Sequence, residues 1–394
     1  MIYLFVIILL LFLAYIYDVC GKKNYKEQWF FFIILLFVVI AGMRYRLGVD
    51  TARYLVHFYH DTPHLKDLTW EDLQIGSDPL FHLLNSLILT MGGRFYILQF
   101  VQAVFINILV FKYIKRHTHY VFTALFFYFI WQYYGYNMEE LRASMALVIC
   151  LFANDYCLEK KWFKAVLLYL IATQFHFSAV ICLITPLLLF LKFNLLGVAI
   201  ILVSFYVSVL FAPTLEANLE LLAFSDWSYG RISSYLEDEE QIQSGLNIFG
   251  YITSMIMYSY PVVALYVMKK RDGSNHLLTL EPFLVICIIV SVINLRLPVF
   301  YRFTHFYAIY FIIFVSDFCV RLAKYPKHEK RSVNLLKTII IMIPMIYIME
   351  SPFFALEMYS RFLPYSSIIE RSSDNQRDRV YSMYGAGRAN PNEY

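Results

Sequence analysis

The chain has 394 residues, of which 60% are hydrophobic and only 16% are charged. A soluble globular protein carries about 25% charged residues, so this composition excludes an ordinary soluble enzyme. Apolar runs near the roughly 20 residues that cross a bilayer recur along the whole length. An alternating barrel pattern is absent, so helices must satisfy the backbone in lipid. The predicted fold is therefore an all-α, polytopic transmembrane helical bundle.

The predicted elements begin with residues 1–17, which lack a basic n-region and a small-residue cleavage site, so we expect a retained helix rather than a signal peptide. Twelve spans follow from the apolar runs: 1–18, 28–43, 95–113, 119–136, 140–157, 161–175, 177–191, 195–212, 248–268, 279–295, 299–320 and 335–352. The segment 79–91 is too short to cross and lies between Asp78-Pro79 and Gly92-Gly93. It is therefore predicted to be an interfacial or re-entrant helix.

The orientation follows from lysine and arginine in short loops, which favour the cytoplasm. Lysines 22, 23 and 26 place the first loop inside, and alternation from there gives both termini outside if 79–91 does not cross. We expect a single transmembrane domain over residues 1–369, with long outer loops at 44–94 and 213–247. Loops of this length are often functional lids. The polar tail, 370–394, is expected to be disordered.

Lysine and arginine are distributed oppositely in this topology. Fifteen of the 16 lysines fall on the inner side, whereas 13 of the 17 arginines fall on the outer side. Arginine presents a planar, bidentate fork that suits phosphate and carboxylate groups. The distribution therefore predicts that an anionic ligand binds near the outer leaflet.

The first candidate site motif is the sequence GMRYRLGVDTARY at 42–54, which contains three arginines after an apolar run. If a helix begins near Val49, then Asp50, Arg53 and Tyr54 share one face by i, i+3, i+4 spacing. Gly48 permits a turn just before it. A charged cap on a helix end is the alternative interpretation of Arg44, Arg46 and their neighbours.

Three further motifs carry polar side chains at predicted outer helix ends. Arg142 enters a span after Glu139 and Glu140, where it either faces a cavity or pairs with Glu139. His176 interrupts two apolar runs, and the alternative to catalysis is hydrogen-bonded packing. Arg296, Arg302 and His305 flank an outer turn that contains Pro298, and Arg302 and His305 lie one helical turn apart. The alternative there is snorkelling to the outer headgroups.

Several functional classes lack support in the sequence. His57, His60 and His64 have helical spacing, but Pro63 weakens a helix there and no metal signature matches, so no metal site is predicted. The six cysteines show no paired spacing and are expected to be buried small hydrophobes. No nucleotide-binding motif is present, which argues against an ATP-driven pump.

With these motifs, the chain resembles the EpsG family of Wzy-like bacterial polysaccharide polymerases. The matching pieces, in order, are GMRYRLGVDTARY (42–54), SDPLFHLLNSLI (77–88), ELRASMALVI (140–149), FHFSAVI (175–181), YRFTHFY (301–307) and LPYSSI (363–368). Two positions depart from the family pattern. Asp78 stands where the family usually has glutamate, and Ala143 stands where it often has glutamine.

The resemblance implies a GT-C-like or Wzy-like membrane glycosyltransferase that joins oligosaccharide repeat units carried on undecaprenyl diphosphate. The enzyme would work at the periplasmic face of the bacterial inner membrane. Its expected partners are the lipid-linked oligosaccharide, the bilayer, and a chain-length regulator and flippase of the same pathway, for exopolysaccharide, capsule or O-antigen. No cofactor, metal or nucleic acid is expected.

The mechanistic hypothesis assigns the candidate residues to three roles. Arginines are preorganised cations for the charge that builds on a leaving diphosphate, and the acceptor hydroxyl needs a base. Diphosphate binding is assigned to Arg44, Arg46, Arg53, Arg142 and Arg302. Asp50 and His176 are the candidate bases, with a slight preference for Asp50. Substrate contacts are assigned to Tyr54, Asn85, Glu140, Trp227 and His305.

Other functions share these features in part. A flippase for the same lipid-linked oligosaccharide would also need outward arginines, but it should carry charged or polar groups at the bilayer midplane. The centres of the predicted spans are almost free of charge, which favours surface chemistry. An O-antigen-ligase-like enzyme or an acyltransferase would share the site location and differ in acceptor. A structural scaffold would leave the arginine distribution unexplained.

The topology predicts opposite labelling of single cysteines placed at positions 50 and 270 in a background without the natural cysteines. A membrane-impermeant maleimide applied outside should label position 50, because it follows an outer helix end. Position 270 should react only after the membrane is permeabilised, because it lies in a lysine-rich loop. Labelling of both positions from the same side would contradict the orientation.

Overall fold

A computed structural model describes residues 2–73, 78–218, 276–295, 300–324 and 362–371, with isolated positions between 262 and 269. All regular secondary structure in these ranges is helical, which confirms the all-α prediction. Five segments there are long and apolar enough to cross a membrane: 2–19, 95–117, 141–158, 277–294 and 301–323. Several predicted features lie wholly or mostly outside the described residues, namely 213–247, 248–268, 335–352 and 370–394.

The α-helices that the structure describes are α1 (Ile2–Leu13), α2 (Lys26–Gly42), α3 (Val49–Val56), α4 (Pro79–Thr90), α5 (Phe95–His117), α6 (Val121–Trp131), α7 (Leu141–Leu158), α8 (Trp162–Phe175), α9 (Thr185–Leu188), α10 (Leu195–Asn218), α11 (Glu281–Asn294) and α12 (Tyr301–Ala323). A π-helix extends α1 to Val19, and another follows α6 at Gly135–Glu139. The predicted span 177–191 differs, since it forms a 3₁₀ helix, Phe177–Ile184, followed by the short α9.

The chain groups into two compact units. The first unit comprises the described residues of Met1–Phe152, Ile171–Phe177 and Ser316–Tyr394. The second comprises those of Ala153–Leu170 and Ser178–Val315. A single domain over 1–369 stays a prediction.

The core of the first unit forms where α2 packs against α5. The Phe37 ring lies 5.0 Å from the Phe111 ring, edge to face, and the Phe37 carbonyl accepts a 2.6 Å hydrogen bond from the Tyr133 hydroxyl. At Gly42, a Cβ atom would lie 2.5 Å from the Phe100 ring, so the absence of a side chain permits this close approach. Aromatic packing with one buried hydroxyl donor thus fixes these helices side by side.

One end of the first unit collects lysines. Lys26 Nζ lies 3.7 Å from a carboxylate oxygen of the buried Asp18 and donates to the His119 carbonyl at 3.2 Å. Lys115 pairs with Glu27, and Lys324 Nζ lies 4.6 Å from the centre of the Tyr120 ring. These residues bracket the start of α2 and the turn between α5 and α6. We call this the lysine end.

The opposite end of the first unit holds the arginines that follow α2, which is about 25 Å long at 1.5 Å per residue. Residues 362–371 pack there against the chain after α2, because Tyr45 N donates to the Ser366 carbonyl at 2.9 Å and Ile368 N donates to the Met43 carbonyl at 2.8 Å. The Tyr3 ring lies 5.9 Å from that of Tyr365. We call this the arginine end.

Helix α4 begins and ends at the arginine end. Its 12 residues span about 18 Å, which is shorter than the roughly 30 Å hydrocarbon core. Asp78, which precedes it, bonds to Arg142. The α5 helix that follows places Gln99 beside the Gly42 and Arg44 carbonyls, to which its amide donates at 3.0 and 2.9 Å. Both ends of α4 therefore lie at the arginine end, and its interfacial or re-entrant position in the membrane stays a prediction.

The second unit has its own polar and aromatic contacts. Helix α10 packs on α11, and the Phe283 and Tyr310 rings stack at 4.6 Å. Asn154 Nδ2 donates to the Tyr310 hydroxyl at 2.7 Å, and the Thr185 and Tyr307 hydroxyls lie 2.6 Å apart. These contacts hold α12, whose first turns carry two of the predicted site residues.

Replacement of Gly48 by alanine should strongly destabilise the fold. Gly48 has a φ of 86°, and a Cβ atom there would lie 2.2 Å from the Met138 carbonyl oxygen. Gly92→Ala is the matched control, since Gly92 has a φ of 73° and a Cβ atom added there would meet no atom within 4 Å. Thermal unfolding in detergent should show a cost of about 1–2 kcal/mol for Gly92→Ala and a clearly larger loss for Gly48→Ala. Equal losses would contradict the close packing at Gly48.

Candidate active site

Helix α3 begins at Val49 as predicted and is tied to the turn before α7. Gly48 makes the turn, and the Asp50 backbone N–H donates to Glu139 Oε2 at 3.2 Å. A carboxylate is favourable at this position because the amide groups of a helix N-terminus carry partial positive charge. The Thr51 hydroxyl bonds both to the Leu47 carbonyl, at 2.8 Å, and to the Met138 carbonyl, at 3.0 Å. The first and second site motifs are therefore in direct contact.

Asp78 is the centre of the site. Its carboxylate oxygen Oδ2 accepts a 2.7 Å hydrogen bond from Arg142 Nη1 and lies 3.3 Å from His176 Nδ1. The other oxygen, Oδ1, accepts from the Phe177 backbone N–H at 3.1 Å. Asp78 is 1% exposed and has a left-handed backbone, which aspartate tolerates better than most residues. One buried carboxylate thus holds together α4, α7 and the end of α8.

Arg142 lies between this carboxylate and two aromatic rings. Its guanidinium carbon is 5.5 Å from the centre of the Tyr54 ring and 6.0 Å from that of Phe81, within range of cation–π attraction. The Arg142 side chain remains 25% exposed, whereas the Asp78 side chain is 1% exposed. The ion pair therefore leaves part of the guanidinium open to a ligand. Its carboxylate partner in the structure is Asp78, not the Glu139 that the sequence offered as an alternative.

A second histidine lies at the rim of this cluster. His82 follows Asp78 by one turn of α4, and its ring centre lies 4.9 Å from that of His57. Burial lowers the pKa of His82, and the positive charges of His57 and Arg142 lower it further. His82 is therefore a weak base that stays neutral beside Arg142.

Arg44 is fully buried, and its side chain points back to the last turn of α2. Its Nη1 donates to the Ala41 carbonyl at 2.6 Å, and its backbone bridges to Ser367. These contacts fasten residues 362–371 to the end of α2. The geometry favours a structural role for Arg44 behind the site over direct contact with a ligand.

Three other predicted residues lie nearer the surface. Asp50 and Arg53 form an ion pair at 3.7 Å on α3, with side chains 34% and 65% exposed. Arg46 has a φ of 49°, and its guanidinium carbon lies 5.2 Å from the centre of the Tyr45 ring. These side chains are accessible from the arginine end.

The remaining predicted residues are dispersed. Asn85 is buried within α4, and Glu140 is half-buried at the start of α7. Arg302 is half-buried and His305 is buried at the start of α12, in the second unit, where the His305 ring lies 4.6 Å from Tyr301. Trp227 and Arg296 lie outside the described residues.

The structure thus brings together Tyr54, Arg142 and His176, all of which the sequence singled out. It adds Asp78, to which the sequence analysis gave no role. The signal that could have found it was the carboxylate in SDPLF, a charged side chain immediately before a short apolar helix. Arg302 and His305 belong to the other unit, so their participation stays a prediction.

The described part of the chain also bears on metal binding. Within it, no group of three or more histidine, cysteine, aspartate or glutamate side chains is arranged to hold a metal ion. Arg142 is the cation that the geometry places beside the buried carboxylate. A metal-independent reaction stays a prediction.

Comparison with known proteins identifies the family. The EpsG family model matches residues 27–367, nearly the whole chain. The chain belongs to the EpsG family. No curated protein and no solved structure matches it significantly. Membership of the EpsG family supports a membrane protein of the polysaccharide-polymerase type, which suggests a glycosyltransferase-like polymerase.

Arg142→Gln should lower stability far more than Arg53→Gln. The first change leaves the buried Asp78 carboxylate without its guanidinium, which costs on the order of 3 kcal/mol. The second removes an exposed ion pair, worth less than about 1 kcal/mol. Thermal or denaturant unfolding in detergent measures both. Adding Asp78→Asn to Arg142→Gln should restore part of the loss, and equal losses for the two single variants would contradict a buried ion pair.

Proposed function

We propose that this EpsG-family protein is a membrane glycosyltransferase that polymerises undecaprenyl-diphosphate-linked repeat units at the periplasmic face of the bacterial inner membrane. The observation that carries the proposal is the cluster in which one buried carboxylate holds both Arg142 and His176. A partly exposed cation beside an imidazole suits a reaction with an anionic leaving group and a hydroxyl acceptor. Family membership supports the same reaction class.

Arg142 is the leading candidate for the donor diphosphate. Charge builds on the diphosphate as the bond from sugar C1 to oxygen breaks, and a fixed guanidinium stabilises that charge without reorganisation. Asp78 and the Tyr54 and Phe81 rings hold the side chain in place. Arg46 and Arg53 are accessible and supply further positive charge at this end.

His176 is the better placed of the two candidate bases. Asp50 is paired with Arg53 near the surface, where its side chain is 34% exposed. His176 is buried beside the Asp78 carboxylate. This reverses the slight preference for Asp50 that the sequence gave. Asp50 keeps Arg53 in position instead.

The other assignments of the proposal are carried by sequence alone. They comprise diphosphate binding by Arg302, the substrate contacts of Asn85, Glu140, Trp227 and His305, and the partners in the pathway. In the first unit, the ion pairs at the lysine end and those at the arginine end lie at opposite ends of α2. That placement suits chemistry at one membrane face better than a transport path through the midplane.

The direct test is chain lengthening by the purified protein. The substrate is lipid-linked repeat unit extracted from a strain lacking this gene, and the readout is a gel of product length. Wild-type protein should produce a ladder. Arg142→Ala should lower the lengthening rate by about 100-fold or more, because a transition-state cation is lost.

The matched control is Lys115→Gln, which removes a cation from the lysine end. It should lengthen chains at the wild-type rate. Wild-type ladders from both Arg142→Ala and Arg302→Ala would overturn the arginine site. Movement of the unextended lipid across liposomes without any lengthening would indicate a flippase instead.

A further inference from the structure

We infer that Asp78 is a positioning residue that orients His176 as the base for the acceptor hydroxyl, an inference that rests on the proposed polymerase function. Asp78 is not among the site residues that the sequence predicted, although its motif also contains Asn85. Its two carboxylate oxygens contact Arg142 and the adjacent residues His176 and Phe177, all of which are distant from Asp78 in the chain. Asp78 acts through these groups and need not touch the substrate.

The carboxylate is locked in one orientation. The Phe177 backbone N–H holds Oδ1 at 3.1 Å, while Arg142 Nη1 holds Oδ2 at 2.7 Å. Pro79 follows immediately and begins α4, so the backbone of this segment is restricted as well. With both oxygens engaged and the side chain 1% exposed, Oδ2 stays fixed opposite the imidazole.

This orientation selects one tautomer of His176. Because Oδ2 of the ionised carboxylate can only accept a hydrogen bond, the facing Nδ1 carries the proton. Nε2 then holds the lone pair and is the nitrogen that can take a proton from a hydroxyl. The positive charge that forms on the ring is stabilised by the same carboxylate.

Two competing bases fit less well. The Asp50 carboxylate is half-exposed and paired with Arg53. His82 is made less basic by its burial and by the neighbouring positive charges of His57 and Arg142. His176 lies directly against a buried carboxylate, which favours the protonated ring that a base must become.

The proposed step is a glycosyl transfer coupled to one proton transfer. The acceptor hydroxyl oxygen forms a bond to C1 of the donor sugar, and its proton passes to His176 Nε2. The bond from C1 to the diphosphate oxygen breaks, and its electron pair stays on the diphosphate, where Arg142 neutralises the charge. Nothing is oxidised or reduced.

A single carboxylate also sets the distance between the two functional groups. Arg142 Nη1 and His176 Nδ1 contact the same oxygen, at 2.7 and 3.3 Å. The distance between these two nitrogens therefore cannot exceed the sum of those two distances. The leaving diphosphate is bonded to C1 of the donor sugar, and the attacking hydroxyl approaches the same carbon atom. Coupling the cation and the base through Asp78 therefore keeps both near that carbon.

The first test reads the tautomer without any substrate. Full-length protein in detergent is labelled with ¹⁵N-histidine, and the His176 ring signals are assigned by their loss in His176→Gln. The wild-type ring should be protonated at Nδ1 and unprotonated at Nε2. In Asp78→Asn, which keeps the size of the side chain and suits a left-handed backbone, this preference should disappear. A wild-type ring protonated at Nε2, or an unchanged ring in Asp78→Asn, would overturn the inference.

The second test is a double-mutant cycle on the lengthening rate. His176→Gln should lower the rate by about 100-fold or more, the usual range for a general base. The fold loss caused by Asp78→Asn should be at least ten times larger in the wild-type background than in the His176→Gln background. The reason is that Asp78 acts through His176, so its effect is lost once the imidazole is gone. The same fold loss in both backgrounds would contradict the positioning role.

The two tests separate this inference from the proposed function. If wild-type protein gives no ladder but the tautomer changes as expected, the polymerase function is refuted. The Asp78–His176 contact then stands as a structural feature only. A normal wild-type ladder with equal fold losses would refute the role of Asp78 and leave the polymerase function intact.

Discussion

The buried ion pair between Asp78 and Arg142 is the interaction on which the candidate site depends. Removing a charge from water is costly, so a carboxylate that is 1% exposed requires a close cation and further hydrogen-bond donors. Arg142, His176 and the Phe177 N–H all face its two oxygens. Because these groups come from two parts of the chain that are distant from Asp78, the requirement to satisfy one carboxylate also sets how α4, α7 and the end of α8 meet.

The separation of lysine from arginine is a second organising feature. In the first unit, Lys26, Lys115 and Lys324 lie at one end, while Arg44 and Arg142 lie at the other. The predicted topology assigns the lysine end to the cytoplasm by the general charge rule. The two arginines make specific contacts in the structure, since Arg44 fastens residues 362–371 and Arg142 pairs with Asp78.

The fold was largely predictable from local patterns. The helix starting at Val49, the turn at Gly48 and the short α4 were each expected from apolar length, glycine and proline. The segment 177–191 differs in helix type, because hydropathy cannot distinguish an α-helix from the 3₁₀ helix at Phe177–Ile184. Its first residue, Phe177, donates its backbone N–H to Asp78, a contact that the sequence does not reveal.

The sequence by itself determined the membrane class, the opposite distribution of lysine and arginine, and the choice of Arg142, His176 and Tyr54 as candidate residues. Each of these follows from composition or from a polar side chain that interrupts an apolar run. Only the tertiary structure decided that Asp78 joins Arg142 and His176, and that Arg44 is buried behind the site. The physical reason is separation, since Arg142 and His176 are 64 and 98 positions from Asp78 in the sequence. Pairing over such distances is decided by how the helices pack, which no local pattern encodes.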